Sequence, residues 1–502
     1  MVRDKEMTEL TDFIKCHRGL LIAPAGHGKT TAIADCLLQC PNGVCQLVLT
    51  HTHAGIASLR KKFKAKNVPT SLYELETITG FAQRYVLAFI GKSALPNEDD
   101  SHYFNQAVSK CKDLLCSRLV QSVITNTYGG IFVDEYQDCT ITQHEMIMLL
   151  AKELPLHILG DPLQGIFSFD RQQLVDFNRD LSSFNQYEFM ETPWRWRNTN
   201  PCLGTAIFNM RQQLLKGEEV TLCANTDTQM FVEQYPKSHG EYDIEYNRWL
   251  RGIINKHDSD SLLIICPSYR DVTKNGQEHL RGDLSDRISL KSTIDFSNRF
   301  HIIDAIDSSE YYSVAKDIDK YIEQILANRK IKRLDRLIGI LNALHLTKTS
   351  VNKWIKGNRI ISKKSQNAEK GKVLEHLFQT FEEQPNVETL FQVIDYVMSL
   401  PDVKCHHKEV LYAVKSCVTI ARNNDLSVFD AMKTYKSRIR HQGRAIEGRC
   451  IGTTLLTKGL EFDTVIIMNA HKFSDAKNFY VAISRACKRL VFVTDSSTVS
   501  FK

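Results

Sequence analysis

Several features that would assign the sequence to other classes of protein are absent. The longest apolar runs, such as Leu262–Cys266 and Val465–Met468, have the length of a strand and are far too short to cross a membrane. The first residues, MVRDKE, contain no apolar stretch, so we expect no secretory signal. The 64 basic and 58 acidic residues give a net charge of +6 without a polybasic tail. Binding to nucleic acid would therefore depend on a local basic groove.

The cysteine pattern does not indicate a zinc knuckle. The fourteen cysteines include the closely spaced Cys36, Cys40 and Cys45, but no C-x-x-C pair and no fourth ligand stand nearby. Buried structural thiols are therefore favoured over a metal site. Cys405 and the two histidines that follow it are similarly isolated and are predicted to lie in a surface loop. Cysteines without a secretory signal predict reduced thiols and a cytoplasmic location.

The pattern of the chain changes along its length, which is too great for one hydrophobic core. The first third alternates short apolar runs with helical stretches, which predicts a parallel sheet with crossover helices. From about residue 300 to 446 the apolar residues recur at helical spacing, and strands return after Cys450. We predict a second α/β domain interrupted by a helical one. The predicted strands of the first third are Leu20–Ala23, Gln46–Thr50, Ile131–Val133 and Leu156–Leu159.

The segment Ala23–Thr30, with the sequence APAGHGKT, lies between a predicted strand and a predicted helix. Gly26 and Gly28 would let backbone N–H groups approach phosphates, and the helix would direct its positive end at them. Lys29 would reach the β- and γ-phosphates, and the Thr30 hydroxyl would bind Mg²⁺. A glycine turn with a chance GKT sequence is the alternative. The strand–loop–helix context favours a P-loop.

Two more predicted strands end in side chains that suit nucleotide hydrolysis. Asp134 and Glu135 follow Ile131–Val133, where Asp134 would hold Mg²⁺ and Glu135 would orient and deprotonate water. Asp161 and Gln164 follow the strand that ends at Leu159, and Gln164 would contact both the γ-phosphate and the attacking water. A structural role for the carboxylates and a simple turn at Gly-Asp-Pro are the alternatives.

Together these segments resemble the UvrD/Rep/PcrA group of superfamily 1A helicases. The resemblance rests first on the sequences DEYQD, from Asp134, and GDPLQ, from Gly160, which follow the P-loop. Further segments resemble the remaining motifs of the group and occur in its order: Thr50–Ala54, Thr77–Phe81, Glu191–Arg197, Thr453–Asp463 and Tyr480–Ala486.

The resemblance implies an α/β fold class with two RecA-like P-loop NTPase domains, each with a parallel sheet, plus a small and a larger helical insertion. The first RecA-like domain would comprise residues 1–85 and 119–189, with the reduced helical insertion at 86–118. The second would comprise residues 190–298 and 447–502, with the larger helical insertion at 299–446.

The resemblance also implies a nucleotide site for ATP or another NTP together with Mg²⁺. Lys29, Glu135 and Gln164 would be catalytic, joined by Arg195 and Arg485 as arginine fingers. Arg197 competes with Arg195, for which a surface salt bridge is the other possibility. Thr30 and Asp134 would bind the metal. The implied nucleotide contacts are Ala25, Gly26, His27, Gly28, Lys29, Thr30, Thr31, Trp194, Gly459 and Glu461.

Single-stranded DNA would lie across both domains, as the group implies. Thr52, His53 and Thr77 would contact its backbone or sugars. Phe167 and Phe169 alternate and could stack on bases, although core phenylalanines are the alternative. The chain departs from the group at several positions. No glutamine precedes Lys29, and Ile78, Leu455 and Asp170 replace the usual Phe, His and Arg. These departures predict loose base specificity and argue against processive unwinding.

The short accessory domain and these variants also resemble the helicase-like subunit of Gabija-type antiphage systems. That resemblance implies a partner of the OLD nuclease family, a hetero-oligomer, and a response to single-stranded or end-containing DNA. A stand-alone 3′–5′ repair helicase is the alternative from the same group. A non-catalytic scaffold locked by nucleotide is another, but the retained Lys29, Glu135, Gln164, Arg195 and Arg485 argue against it. No membrane partner is expected.

Overall fold

The computed structural model describes most of the chain, namely residues 2–41, 43–97, 100, 102–166, 172–236, 244–272, 278–295, 299–303, 309–361, 367–442 and 447–501. The chain divides into two compact units. The first contains residues 1–241, 256–280 and 453–502, and the second contains residues 242–255 and 281–452. The predicted insertion at 299–446 lies wholly in the second unit. The boundaries of the predicted domains remain predictions.

The strands alternate with helices through the first unit. The strands are β1 (Arg18–Ile22), β2 (Gln46–Thr50), β3 (Tyr73–Thr77), β4 (Gly130–Val133), β5 (Leu156–Gly160), β6 (Asn185–Tyr187), β7 (Val220–Thr221), β8 (Met230–Gln234), β9 (Leu262–Ile265), β10 (Tyr269–Val272), β11 (Glu278–Arg281), β12 (Phe300–Ile302), β13 (Ile355–Lys356), β14 (Arg359–Ile360), β15 (Arg449–Gly452), β16 (Phe462–Ile467), β17 (Ala486–Thr494) and β18 (Thr498–Val499).

The helices account for most of the remaining chain. In the first half they are α1 (Val2–Lys15), α2 (Lys29–Gln39), α3 (His53–Ala65), α4 (Ile78–Phe89), α5 (Tyr103–Leu114), α6 (Arg118–Thr127), α7 (Ile141–Leu150), α8 (Phe177–Asp180) and α9 (Pro201–Leu215). They continue as α10 (Ile244–Lys256), α11 (Leu284–Ile294), α12 (Ser309–Leu326), α13 (Arg333–Ala343), α14 (Lys348–Val351), α15 (Ala368–Glu383), α16 (Val387–Ser399), α17 (Lys408–Asn424), α18 (Val428–Gln442) and α19 (Ala476–Ile483).

The first sheet has six strands in the order β3-β2-β4-β5-β1-β6, and neighbouring strands pair in parallel throughout. Every residue of β2, β4 and β5 is buried, as expected for a parallel sheet covered on both faces. Consecutive side chains alternate between the faces, so Leu21 packs with Phe13 and Ile33 while Leu20 joins Phe81 and Ile147. The order places the carboxyl ends of β4, β5 and β1 side by side.

A second parallel sheet in the first unit contains β9, β16, β17 and β8 in that order. Leu262, Val465 and Leu490 lie in its buried interior, and β17 leads directly from α19. Two parallel sheets with covering helices confirm the predicted α/β fold class. Each of the strands predicted in the first third is present, and the bounds of β2 match the prediction.

The second unit is mainly helical. Helices α12 to α18 enclose a core that includes Ile318, Trp354, Phe381 and Ile394. In the same unit β12 pairs in parallel with β15, and β13 and β14 form a short antiparallel pair. Within the parts of the chain that the structure describes, every helix is too short or too polar to span a membrane.

The cysteines agree with one prediction and contradict another. Cys36 and Cys40 are buried, as predicted for structural thiols. The prediction that Cys405, His406 and His407 lie in a surface loop is wrong, because Cys405 is 8% exposed and His407 is fully buried. This segment pairs with the chain after α13 through a bridge between Leu346 and Cys405. The pairing partner is remote in sequence, so the local pattern could not reveal the burial.

Candidate functional site

The loop between β1 and α2 has the backbone of a P-loop. Gly26 and Gly28 have φ angles of 73° and 95°, in the left-handed region that favours glycine. A methyl group added at Gly26 would lie 2.7 Å from the Trp196 ring, and one added at Gly28 would lie 3.1 Å from Trp194. Both the conformation and the close packing therefore require glycine at these positions.

The side chain of Lys29 lies along this loop. It is buried, and its Nζ donates to the carbonyl oxygens of Ala23 at 2.7 Å and Pro24 at 3.2 Å. Both acceptors are neutral, so the loop holds a buried ammonium group without an ion pair to either of them. The Ala25 N–H donates to the Tyr480 hydroxyl at 3.0 Å, which connects the loop to α19. A phosphate would supply the negative charge that this arrangement suits.

Two buried carboxylates stand at the end of β4, beside the loop. Asp134 is 3% exposed, and the Thr30 hydroxyl lies 3.5 Å from its Oδ2 atom. Burial and the charge of Glu135 raise the pKa of Asp134 to about 7. Burial alone would also raise the pKa of Glu135, but Lys29, Lys458 and other donors lower it below its usual value. Glu135 is therefore poised to accept a proton at neutral pH.

Backbone geometry and hydrogen bonding fix the position of Glu135. Its φ angle is 55°, which is uncommon for a residue with a side chain and is frequent at functional sites. The Gln137 amide group donates to the Glu135 carboxylate and accepts from the Asp161 N–H at 3.0 Å. Gln137 thus joins the ends of β4 and β5.

The end of β5 carries a buried ion pair. The Arg211 guanidinium, on α9, donates to Asp161 at 3.0 Å, and the side chains are 8% and 0% exposed. The second oxygen of Asp161 accepts from Gln164 Nε2 at 3.0 Å. The ion pair therefore positions the Gln164 side chain, whose Oε1 lies 3.5 Å from the Arg485 guanidinium.

Arg485 and Arg195 approach the same place from the chain beyond the first sheet. Arg485 is 1% exposed and donates to the carbonyl oxygens of Val481 at 2.9 Å and Leu460 at 3.2 Å. Burial and the charge of Arg195 lower the pKa of Arg485 to about 10, so it is charged at neutral pH. Arg195 donates to Glu461 at 2.8 Å.

These groups line one cleft in the first unit. Of the predicted nucleotide-site residues, the cleft is lined by Ala25, Gly26, Gly28, Lys29, Thr30, Thr31, Asp134, Glu135, Gln164, Trp194, Arg195, Gly459, Glu461 and Arg485. His27 does not line it: the side chain is 3% exposed and its Nδ1 lies 2.9 Å from the Ala25 carbonyl oxygen. Trp194 is 40% exposed beside Gly28, and Arg197 lies over the Trp194 ring at 4.8 Å.

The prediction did not include Lys458, which also lines the cleft. Its ammonium group contacts the Asp138 carboxylate and the Gln164 carbonyl oxygen, and the Lys458 and Asp138 side chains are 6% and 1% exposed. Lys458 stands in the segment KGLEFD that carries the resemblance, and Asp138 stands in DEYQD. The sequence therefore contains both partners, but their pairing across more than three hundred residues has no local signal.

The predicted DNA contacts are less uniform in their placement. Thr52 caps α3 by accepting from the Gly55 N–H at 3.0 Å and also lines the cleft. His53 is half-buried at the start of α3. Thr77 is 4% exposed and caps α4 by accepting from the Gly80 N–H at 2.9 Å, which does not favour a contact with DNA. Phe167 and Phe169, like Asp170, lie outside the described residues.

The donor set at this cleft fits Mg²⁺ and a nucleotide triphosphate. Asp134 and the Thr30 hydroxyl provide the oxygen ligands that Mg²⁺ prefers. Two adjacent buried carboxylates repel each other when both are ionised, and a divalent cation would relieve that repulsion. Backbone N–H groups, Lys29, Arg195 and Arg485 provide the positive side of the site.

Part of this site matches a known family. Residues 57–185 match the UvrD/REP helicase N-terminal domain. This part of the chain is homologous to superfamily 1 helicases. The matched range contains Asp134, Glu135 and Gln164.

Individual relatives support the same homology over limited segments. The RecBCD enzyme subunit RecB of Buchnera aphidicola subsp. Acyrthosiphon pisum (strain APS) is 29% identical over 141 residues, which are 27% of this chain and 11% of the relative. An ATP-dependent helicase/nuclease subunit of Alkaliphilus metalliredigens (strain QYMF) is 30% identical over 120 residues, or 24% and 9%. Its counterpart in Streptococcus mutans serotype c (strain ATCC 700610 / UA159) is 24% identical over 194 residues, or 36% and 15%. The chain thus spans about a tenth of the length of these relatives.

Proposed function

We propose that the chain hydrolyses ATP, or a related NTP, with Mg²⁺ in this cleft and uses the reaction to drive a motor on single-stranded DNA. The observation that carries the proposal is the meeting of Lys29, Asp134, Glu135 and Arg485 in one cleft. An anion-binding loop, a carboxylate pair and buried guanidinium groups are together the parts that phosphoryl transfer needs. The homology to helicases supports this reaction over other uses of a P-loop.

Each of these residues receives a role that its surroundings support. The P-loop N–H groups and Lys29 would bind the β- and γ-phosphates, and Thr30 and Asp134 would hold Mg²⁺. Bound Mg²⁺ would neutralise charge on the phosphates. Glu135, whose pKa is held low by nearby cations, would accept the proton of the attacking water. Its hydrogen bond with Gln137 keeps the carboxylate oriented.

Arg195 and Arg485 would stabilise negative charge on the transferred phosphoryl group. Neither residue belongs to the first sheet, so closure of the cleft would control when they reach the nucleotide. Gln164 touches Arg485 and is anchored by Asp161, which suits a residue that senses the γ-phosphate. Trp194, exposed next to Gly28, is placed to stack on the base. A stacking contact without a base-reading glutamine predicts that ATP, dATP and GTP are all accepted.

The test is NTP hydrolysis by the purified chain with ATP, dATP and GTP, without DNA and with single-stranded, duplex or overhang DNA. We expect turnover that single-stranded DNA increases and that Lys29→Ala abolishes. Lys64→Ala, an exposed lysine on α3, is the matched control and should keep wild-type turnover. Turnover that survives Lys29→Ala would contradict the assignment of the site.

We further propose that the motor works within a nuclease complex of the antiphage type, with a partner of the OLD nuclease family. The support is the resemblance to Gabija-type systems and the names of the relatives, which are subunits of the RecBCD enzyme and of helicase/nucleases. All fourteen cysteines lie in the described part of the chain as thiols, which suits a reducing cytoplasm where such a complex would act.

Co-expression with an OLD-type nuclease tests this finer proposal. A stable complex whose DNA cleavage changes with NTP, and no longer does so with Lys29→Ala, would support it. Strong processive unwinding by the isolated chain, with no effect of the nuclease, would instead favour a stand-alone 3′–5′ repair helicase.

A further inference from the structure

A cluster of histidine and glutamate side chains lies in the helical second unit, and the proposed NTP reaction does not use it. Glu310 is near the start of α12, His345 follows α13, and His407 precedes α17. One ligand atom of each of these side chains lies within 4.8 Å of those of the other two. The three residues come from separate parts of the sequence, so the fold has brought them together.

The distances in the cluster are close to those of a coordination sphere. Glu310 Oε1 lies 2.6 Å from His345 Nε2, and Glu310 Oε2 lies 3.8 Å from His407 Nδ1. Two ligands of a tetrahedral ion with bonds of about 2.0–2.1 Å are about 3.3 Å apart. One contact must open by about 0.7 Å and the other must close by about 0.5 Å. Side-chain rotation alone provides such movements.

The backbone holds the two histidines firmly. The His406 N–H donates to the His345 carbonyl oxygen at 3.0 Å, and the Thr347 N–H donates to the Lys404 carbonyl oxygen at 2.9 Å. These bonds flank the bridge between Leu346 and Cys405 and form a short antiparallel ladder. His345 has a φ angle of 56°, a conformation in which histidine is enriched and which is often found at functional sites.

Neighbouring side chains that could compete as ligands are engaged elsewhere. Cys405 Sγ donates to the Leu344 carbonyl oxygen at 3.4 Å. His406 Nε2 lies 3.2 Å from the Thr347 hydroxyl. The donor set is therefore two imidazoles and one carboxylate, which leaves one position of a tetrahedral ion for water.

Glu409 occupies the outer position expected around a metal-binding histidine. Its Oε2 lies 3.7 Å from His407 Nε2, on the ring nitrogen opposite to the one that approaches Glu310. Its other oxygen lies 3.4 Å from His301 Nδ1. A carboxylate on the second ring nitrogen fixes the tautomer and raises the basicity of a metal-binding imidazole. Lys291, buried nearby, balances part of the negative charge of Glu409.

We propose that Glu310, His345 and His407 bind a divalent transition metal ion, for which Zn²⁺ is the best match. Zn²⁺ accepts imidazole nitrogen and carboxylate oxygen in a four-coordinate site, whereas Mg²⁺ and Ca²⁺ prefer oxygen alone. The Glu310 and His345 side chains are 26% and 22% exposed, which provides an entry path, while His407 is fully buried. The ion ties α12, the end of α13 and the start of α17 together, so its role is to stabilise the helical unit.

The test is a Zn²⁺ titration of the full chain, after treatment with a chelator, in competition with a chromogenic zinc chelator. Asp134→Asn is included in every protein so that the carboxylates of the nucleotide cleft do not contribute. We expect one tightly bound Zn²⁺ per chain and a rise in the melting temperature when Zn²⁺ is added. His345→Gln and His407→Gln should lose both effects. Glu409→Gln should weaken binding about 10–100-fold.

Two controls keep the result interpretable. Glu310→Gln preserves the size of the side chain and should abolish tight binding while the metal-free protein keeps its fold by circular dichroism. His376→Gln removes an exposed histidine of the same unit and should bind Zn²⁺ as tightly as the parent. Absence of stoichiometric Zn²⁺ binding would overturn the proposal. Binding that survives both Glu310→Gln and His345→Gln would also overturn it.

Discussion

The buried pair of Asp161 and Arg211 offers a quantitative test of how the site is held together. We consider Arg211→Met, which keeps much of the length of the side chain and removes its charge. Arg211 donates to Asp161 at 3.0 Å, and Asp161 in turn accepts from Gln164 at 3.0 Å. The substitution leaves a fully buried carboxylate without its guanidinium partner. It therefore disturbs both the stability of the first unit and the position of Gln164.

The expected magnitude follows from burial. Removing one partner of a buried ion pair costs about 3–5 kcal/mol because the remaining charge is left uncompensated. In the double variant Asp161→Asn with Arg211→Met, no buried charge remains, so part of this loss should be recovered. Coupling between residues in contact is about 0.5–3 kcal/mol. We expect the double variant to be more stable than Arg211→Met alone.

The dependence on pH gives a second signature. Burial alone would raise the pKa of Asp161, but Arg211 and Lys29 lower it below its usual value. In the wild type its contribution to stability is present above the unfolded pKa of about 3.9 and is lost as pH falls through the lowered pKa. In Arg211→Met the pKa of Asp161 rises. The stability difference between the two proteins is therefore largest at neutral pH and shrinks on acidification.

The assay is urea unfolding at pH 7 and at several lower pH values, followed by tryptophan fluorescence. Lys488→Met is the matched control, because its ion pair with Asp463 at 2.9 Å is largely exposed and such pairs contribute about 0–1 kcal/mol. A loss for Arg211→Met that is no larger than for Lys488→Met would refute the reasoning. A loss that is large but independent of pH would refute the electrostatic part of it.

Three further predictions concern the nucleotide site itself. Glu135→Gln should reduce ATP turnover about 10²–10⁴-fold, with nucleotide binding retained in a fluorescence binding assay, because only the proton acceptor is lost; unchanged turnover would exclude Glu135 as the base. Gly26→Ala should weaken ATP binding and lower the melting temperature, since its Cβ would lie 2.7 Å from Trp196 and its φ angle is 73°; a wild-type melting temperature would contradict this. Trp194→Ala should raise KM for ATP, dATP and GTP alike with a smaller change in kcat, and a rise for one base only would contradict simple stacking.

The elements around the cleft could be predicted because their signals are local. β1 and α2 flank a glycine loop whose backbone requires those glycines, and β4 and β5 are continuous apolar runs that end in carboxylates. In a parallel sheet such strand ends meet at one edge, so the predicted residues converge. Their chemical roles remain predictions.

Other features depend on contacts between distant parts of the chain. The pairing of Lys458 with Asp138 joins segments that are far apart in sequence. The cluster of Glu310, His345 and His407 is similar, and the segment around Cys405 was predicted to be exposed for this reason. The positive φ angle of Glu135 also has no sequence signal, because glutamate seldom adopts it.

The most direct test of the central claim is single-stranded DNA-stimulated ATP turnover by Arg485→Lys compared with the wild type. Lysine keeps a positive charge but cannot reproduce the guanidinium bonds, and an arginine finger contributes about 10³-fold or more to turnover. We predict that Arg485→Lys binds ATP, loses turnover by about that factor, and gains nothing from DNA, while Lys488→Met behaves as the wild type. Wild-type, DNA-stimulated turnover by Arg485→Lys would contradict the account.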